Sequence, residues 1–171
     1  MTTANAKSNA ASLTVERAVK APRDLVFGAF ADAAALSEWW GPVGFTMTVT
    51  AFDFRPGGHC LFKMVNADTT MWAKLVYGAI ERPDRLEITL SFSNEAGGMT
   101  RAPFFDAWPQ EILNVFTFTE KDGTTTITNH CYPVRATDAE VAGFEENKHS
   151  LRGGLEASLD KLAVHVGGLL K

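Results

Sequence analysis

Apolar and polar residues alternate along the middle of the chain. From Thr46 to Tyr132, apolar residues recur at every second position, the spacing of strands with two different faces. Turn-forming residues interrupt this alternation repeatedly. The pattern predicts antiparallel strands at Thr46–Phe54, His59–Asn66, Met71–Glu81, Arg85–Ser93, Glu111–Glu120 and Thr124–Tyr132. In Arg85–Ser93, polar residues from Glu87 to Ser91 alternate with apolar ones, so one face of this strand is expected to stay wet.

The spacing changes to that of a helix after the last strand. From Thr137 to Leu170, apolar residues recur at steps of three or four, which predicts one long amphipathic helix. Its apolar stripe consists of Leu151, Leu155, Leu159, Leu162, Val166 and Leu169. The strands offer the only large apolar surface that could cover this stripe. We therefore expect an α+β protein, with a curved antiparallel sheet around a long C-terminal helix and a space between them.

One strand and two short helices are predicted before the main run of strands. Leu13–Lys20 alternates and is expected to form an edge strand. Pro22 suits the first turn of the first helix, where its missing N–H is not needed. The buried face of that helix would be formed by Val26, Phe27 and Phe30. Asp32 is a suitable N-cap for the second helix, and Gly41-Pro42 would end it.

The segment Asn94–Gln110 is long for a loop in a compact domain. It contains Phe104, Phe105 and Trp108, although loops rarely carry three large aromatic side chains. Two interpretations remain open: the aromatic residues form a lid over the mouth of the cavity, or they form a patch that packs against a second subunit.

Composition excludes several classes of protein. The chain has 171 residues, which fits one domain at 12–171 after a flexible N-terminal tail at 1–11. Its net charge of -4 provides no basic surface, so no nucleic acid partner is expected. No apolar run is long enough for a membrane span, and Met1–Ser12 lacks the apolar core of a signal peptide. Two cysteines do not make a disulfide framework, so a cytoplasmic location is expected.

Three short sequence motifs indicate a resemblance to a known family. LSEWWGP (36–42), FDFRPGG (52–58) and LDKL (159–162) resemble the family of activator of 90-kDa heat-shock protein ATPase homologues. That family lies within the polyketide cyclase and START-type lipid-binding superfamily. The resemblance extends over Leu13–Leu170 and implies the helix-grip fold, also called START-like or Bet v 1-like.

The chain departs from the family pattern at two places. The eukaryotic co-chaperone has an additional N-terminal domain, which nothing before Leu13 could supply, so chaperone stimulation is the less expected function. Related bacterial chains have a Gly-Trp pair in the last helix. The matching residues here are Gly154 and Leu155, preceded by Gly153, which implies a differently shaped cavity. The paired glycines suggest either a close approach of the helix to the sheet or a point where the helix bends to admit ligand.

Metal and catalytic sites are not predicted. His59-Cys60 and His130-Cys131 are neighbours on strands, so each pair can present only one side chain to a shared site, whereas zinc needs three or four ligands. The Arg55–Gly58 turn is not followed by a helix, so it lacks the context of a phosphate loop. Asp53, Asp106, Glu111, His130 and Tyr132 could act as an acid or base, yet no catalytic pairing is evident among them. Asp53 and Glu111 are expected to form surface ion pairs.

The sequence thus predicts a domain that binds a small hydrophobic ligand between sheet and helix, without a cofactor. Aromatic and polar residues on the strands and the second helix are the candidate cavity walls. They are Trp39, Trp40, Phe62, Met64, Trp72, Phe92, Asn114, Phe116, Phe118, His130 and Tyr132. Asn129 is a further polar group that could orient the ligand. Phe62 with Met64, and Phe116 with Phe118, should share a face because they are two residues apart.

Two other functions remain open. The family name implies a module that stimulates the ATPase of a 90-kDa heat-shock protein or binds another protein. The superfamily also includes polyketide cyclases and aromatases, so an enzyme on a polyketide-type substrate is a third hypothesis. A homodimer is possible in each case.

Overall fold

The structure is a computed structural model and describes residues 11–170. The predicted tail therefore lies outside the described residues, except for Ala11, which is buried. The strands are β1 (Leu13–Val19), β2 (Thr46–Phe52), β3 (His59–Val65), β4 (Thr70–Glu81), β5 (Arg85–Ser93), β6 (Ile112–Lys121) and β7 (Thr124–Pro133). The helices are α1 (Arg23–Gly28), α2 (Ala33–Trp39) and α3 (Asp138–Leu169). None of the helices in residues 11–170 is long and apolar enough to cross a membrane.

The seven strands form one antiparallel sheet in the order β1-β7-β6-β5-β4-β3-β2. The first strand pairs with the last, from Leu13 opposite Cys131 to Val19 opposite Thr125. The prediction that β1 is an edge strand is therefore confirmed. Consecutive strands from β2 to β7 pair as hairpins or through the long loop between β5 and β6, as the alternation predicted.

One half of the interior is filled by aromatic side chains from the connection between α1 and α2, from α2 and from β6. The ring of Phe30 lies 4.7 Å from that of Trp39, 4.9 Å from Phe116 and 5.3 Å from Phe118, measured between centroids. The predicted cap of α2 is confirmed, since the Asp32 carboxylate accepts a hydrogen bond from the Ala35 N–H at 3.1 Å. This half of the molecule is therefore packed solid and attaches both short helices to the sheet.

Helix α3 lies across the sheet and begins with a reciprocal cap. The Thr137 hydroxyl accepts from the Glu140 N–H, and the Glu140 carboxylate accepts from the Thr137 N–H at 2.9 Å. Of the predicted stripe, three residues are buried and two are partly buried; these are Leu159, Leu162 and Val166, then Leu151 and Leu155. The prediction was wrong for Leu169, which is exposed because it borders an open groove beside Leu25 instead of the sheet.

Basic side chains of α3 also cover the open edge of β1. Lys148 Nζ donates to the Ser12 carbonyl and Arg152 Nη1 to the Thr14 carbonyl, both at 3.3 Å. Edge strands offer unpaired backbone groups that invite association with other chains. These bonds occupy two of those groups and hold α3 parallel to β1.

The loop after β5 first turns onto the outer face of the sheet. Met99 forms a bridge with Ser93, and Lys74 Nζ donates to the Gly97 carbonyl at 3.5 Å. Ser91 and Ser93 are buried as a result. The prediction of a wet face was therefore wrong at this end of β5, because a loop without periodicity covers it.

Candidate functional site

A cavity of about 370 Å³ lies in the other half of the interior, between α3 and strands β3, β4 and β5. This volume falls within the usual range of small-molecule sites. The strands supply its floor, α3 its roof, the end of α2 one side wall and the β5–β6 loop the other. The lining residues are Trp40, Gly41, Pro42, Phe62, Met64, Met71, Ala73, Leu90, Ser91, Phe92, Phe104, Phe105, Trp108, Ile112, Ser150, Leu151, Gly154, Leu155 and Ser158.

Small side chains on facing elements leave this space open. Ala73 lies on the floor opposite Phe62 in the β3–β4 ladder, while Gly154 and Ser158 face it from α3. A Cβ built on Gly154 would meet no atom within 4 Å. In the filled half, the corresponding space is taken by phenylalanine rings. The cavity therefore follows from residue size at positions that are far apart in sequence.

Charged side chains do not line this cavity among the described residues. The Ser158 hydroxyl donates its proton to the Gly41 carbonyl at 3.1 Å, which ties α3 to the end of α2. Apolar walls of this kind bind ligands mainly through removal of apolar surface from water.

The second part of the β5–β6 loop forms a continuous aromatic wall. Ring centroids are 5.6 Å apart for Phe92 and Phe104, 6.0 Å for Phe104 and Phe105, and 5.3 Å for Phe105 and Trp108. Trp108 then contacts Phe144 of α3 at 5.6 Å. Phe104 is 56% exposed, whereas Trp108 is buried. The loop is thus anchored at Trp108 and open to solvent at Phe104.

Two further contacts fix this loop to the first turns of α3. Arg101 Nη1 lies 3.2 Å from the carboxylate of Glu140, the residue that completes the helix cap. The backbone carbonyl of Ala107 lies so close to Gly143 that a Cβ there would be 2.1 Å from it. Only glycine allows this approach, because any side chain would overlap the loop backbone.

The structure brings four of the predicted wall residues to the cavity and places the others elsewhere. Trp40, Phe62, Met64 and Phe92 line it. Trp39, Phe116 and Phe118 instead fill the packed half of the interior. The two tryptophans separate because Trp39 ends α2 facing inward and donates its indole N–H to the Ala29 carbonyl at 2.9 Å.

Three predicted wall residues lie on the outer face of the sheet, so their placement is corrected. Trp72 is opposite Lys63 on β3, and its ring lies 6.0 Å from Lys63 Nζ. Nδ1 of His130 and the Thr14 hydroxyl form a hydrogen bond of 2.9 Å. The ring of Tyr132 lies beside that of His130. Their neighbours along the strands are the inward-facing residues, so side-chain alternation directs these three outward.

Asn114 is buried in the core but does not line the cavity. Its Nδ2 donates to the Ile112 carbonyl at 3.2 Å, and its Oδ1 accepts from Asn129 Nδ2 at 3.2 Å. Asn129 Oδ1 is buried without a partner in the part of the chain that the structure describes. The pair thus joins β6 and β7 inside the core, and neither residue reaches the cavity.

The prediction of cavity-lining residues omitted several that the sequence pattern could have identified. Met71 and Ala73 are two residues apart and so share one face of β4. Met71 is paired with Met64 of β3, and Ala73 with Phe62. Leu151 and Leu155 were assigned to the helix stripe without being assigned to the cavity. Of the two interpretations of Gly153 and Gly154, the close approach of the helix to the sheet is wrong, because a Cβ at either residue would meet no atom within 4 Å.

The candidate metal and acid–base residues do not converge on the cavity. Each His-Cys pair splits across the sheet, with both cysteines buried inside as free thiols. Within residues 11–170, no group of three or more His, Cys, Asp or Glu side chains could hold a metal ion. The expected surface pairs are confirmed: Asp53 with Arg55 at 2.6 Å, and Glu111 with Arg135. The Arg135 guanidinium lowers the pKa of Glu111.

Burial raises the pKa of both Cys60 and Cys131 to about 12. Because the thiolate is the reactive form, we expect both thiols to resist alkylation in the native protein. At mildly alkaline pH, N-ethylmaleimide should modify them at least ~100-fold more slowly than in denaturant. A time course by mass spectrometry tests this. Modification of the native protein at the rate of a free thiol would contradict the placement of these residues in the core.

Comparison with known proteins supports the fold. The sequence profile described as Activator of Hsp90 ATPase homolog 1-like protein matches residues 20–167. A protein of known structure from Mycobacterium smegmatis is 24% identical, with a TM-score of 0.72 over 96% of this chain and 93% of that chain. One from Arthrobacter aurescens is 19% identical, with a TM-score of 0.78 over 94% and 88%.

A third similar structure is that of a protein in the dynemicin biosynthetic locus. It is 22% identical, with a TM-score of 0.60 over 91% of this chain and 47% of that chain. At these sequence identities the similarity concerns the fold alone. The helix-grip fold implied by the three sequence motifs is confirmed. Among curated proteins, none matches the sequence.

Proposed function

The chain belongs to the Activator of Hsp90 ATPase homolog 1-like family, and from this premise we propose that it binds a small hydrophobic molecule in the cavity beneath α3. The observation that carries the proposal is the cavity itself, with its apolar and aromatic walls and no charged lining residue in the described chain. A pocket of this kind binds ions and strongly polar molecules weakly, because its walls cannot compensate the free energy that these molecules lose when they leave water.

The energy available from such a site is sufficient for useful affinity. Removing about 200 Å² of apolar ligand surface from water would contribute about 5 kcal/mol. Part of this gain is offset by the entropy of immobilising the ligand. The aromatic wall would add shape selectivity, since rings are rigid and prefer offset or edge-to-face contacts.

The β5–β6 loop acts in this proposal as the lid of the cavity. Phe104 is the exposed end of the aromatic wall, while Trp108 and Arg101 attach the loop to α3. A ligand would enter by displacement of the Phe104 end, since the other end is held by an ion pair and a buried ring. A contact of this loop with a second subunit stays a prediction.

A pair of adjacent glycines allows a sharp test. Gly154 lines the cavity, whereas Gly153, the preceding residue of α3, is exposed and does not line it. Gly154→Leu should fill the cavity and weaken binding of an uncharged fluorescent probe, phenylnaphthylamine, at least ~10-fold, because over a kcal/mol of ligand contact is lost. Gly153→Leu should bind the probe like the unaltered protein. Fluorescence titration measures both.

Two results would contradict the proposal. One is that the unaltered protein fails to bind the probe at any accessible concentration. The other is that both glycine variants bind equally well, which would place the probe elsewhere on the surface. Native mass spectrometry of freshly purified protein adds an independent observation, since a retained molecule should be present in the unaltered protein and missing from Gly154→Leu.

A further inference from the structure

Two tryptophans of the cavity wall have indole N–H groups without a hydrogen-bond partner among the described residues. Trp40 and Trp108 both line the cavity and are 8% and 7% exposed. By contrast, the indole of Trp39 donates to the Ala29 carbonyl. Nothing in residues 11–170 accepts a bond from Nε1 of Trp40 or Trp108. Neither nitrogen is sealed in the interior in the manner of Tyr77 Oη or Ser93 Oγ.

The other polar groups of the cavity cannot serve as strong donors. The Ser158 hydroxyl donates its hydrogen bond to the Gly41 carbonyl, so its oxygen can only accept a further hydrogen bond. Ser150 is exposed to solvent, and the Ser91 side chain belongs to the face of β5 that points away from the interior. The unpaired neutral donors that remain among the buried wall residues are therefore the two indole N–H groups. Indole can donate but cannot accept a hydrogen bond.

The two indole N–H donors favour a ligand with a neutral hydrogen-bond acceptor. A neutral acceptor such as a carbonyl or ether oxygen would pair with an N–H that the bound ligand cuts off from water, and leaving such a group unpaired costs free energy. A carboxylate would also accept the bond, yet it would lose its hydration without a cation in the wall to replace it. Arg101, the cation of the lid, is already paired with Glu140.

Resting on the function proposed above, we propose that the ligand is an uncharged, largely apolar molecule that carries an acceptor oxygen, and that the indole N–H of Trp40 or of Trp108 donates a hydrogen bond to this oxygen. The two tryptophans are then specificity-determining residues, and the remaining walls supply affinity without regard to the polar group.

Three naphthalenes with one substituent at the same ring carbon test this assignment. Acetylnaphthalene is a neutral acceptor, ethylnaphthalene has no acceptor, and naphthoate is charged at neutral pH. Calorimetric titration should give the ketone about 5- to 10-fold higher affinity than the hydrocarbon, the ratio expected for one hydrogen bond. The carboxylate should bind more weakly than both. Trp40→Phe and Trp108→Phe keep an aromatic wall and should reduce or abolish the preference for the ketone, whereas Trp72→Phe, on the outer face, should retain it.

The indole signals in heteronuclear NMR spectra of nitrogen-labelled protein give a second readout. On addition of the ketone, the N–H signal of Trp40 or Trp108 should move downfield, while those of Trp39 and Trp72 stay in place. If the hydrocarbon binds and the ketone has no advantage, or the carboxylate binds best, the inference is overturned and the proposed cavity function survives. If none of the three binds, both fall together.

Discussion

Replacing Gly143 by alanine is expected to destabilise the protein by about 2–3 kcal/mol, although alanine is the better helix former. The new Cβ would lie 2.1 Å from the Ala107 carbonyl oxygen and 2.8 Å from its carbon. Both atoms belong to backbone, so relief requires α3 and the lid loop to separate. Overpacking of this kind typically costs about 1–3 kcal/mol, and the gain in helix propensity of about 1 kcal/mol offsets only part of a severe clash.

The matched control for this variant is Gly153→Ala, on the same helix. A Cβ at Gly153 would meet nothing within 4 Å, so alanine should stabilise the protein by about 0.5–1 kcal/mol through helix propensity alone. Urea unfolding followed by circular dichroism measures both. The two variants should therefore shift the midpoint in opposite directions. Equal shifts would mean that the loop does not pack against Gly143.

The Gly143 variant should also affect the cavity, because the displaced segment forms its wall. Ala107 adjoins Trp108, and Arg101 on the same loop is paired with Glu140 at the start of α3. Weaker probe binding in a variant that still unfolds cooperatively would support the loop as part of the site. Unchanged binding would separate the loop from ligand recognition.

Replacing Phe30 by alanine is expected to cause the larger loss, about 3–5 kcal/mol, the usual range for a buried phenylalanine. Phe30 is fully buried, and its ring contacts those of Trp39, Phe116 and Phe118. These residues come from α2 and β6, so the side chain joins the short helices to the sheet. The hole left behind cannot close, because rings on three sides are held by their own backbone.

Phe104→Ala is the control for Phe30, since both remove the same side chain. Phe104 is more than half exposed at the mouth of the cavity, so its loss should change the free energy of unfolding by less than about 1 kcal/mol. Chemical denaturation with tryptophan fluorescence distinguishes them. A loss below about 1 kcal/mol for Phe30→Ala would show that the aromatic half of the interior is less rigid than its ring contacts indicate.

The contrast between these two phenylalanines reflects how the interior is divided. In one half of the interior, aromatic rings fill the space between the sheet and the short helices. In the other half, Ala73, Gly154 and Ser158 face one another and leave room. Rearrangement of the open half would therefore break fewer contacts than rearrangement of the packed half.

Much of this architecture could be predicted from the sequence. Alternation located each strand to within about two residues, because successive side chains of a strand point to opposite faces of the sheet. The same rule placed Phe62 with Met64 and Phe116 with Phe118 on common faces. The Asp32 cap and the start of α3 were also readable, since capping acts over three or four residues.

Only the tertiary structure decided where the cavity lies and what lines it. Parity shows that His130 and Asn129 face opposite ways, but the inward face of β7 depends on its partners β1 and β6, far away in sequence. Trp39 and Trp40 are adjacent and chemically alike, yet packing assigns one to the core and one to the cavity. The lid loop has no periodicity, so its approach to Gly143 had no local signal. An open space exists where small residues from distant segments meet, and such meetings are fixed by the fold as a whole.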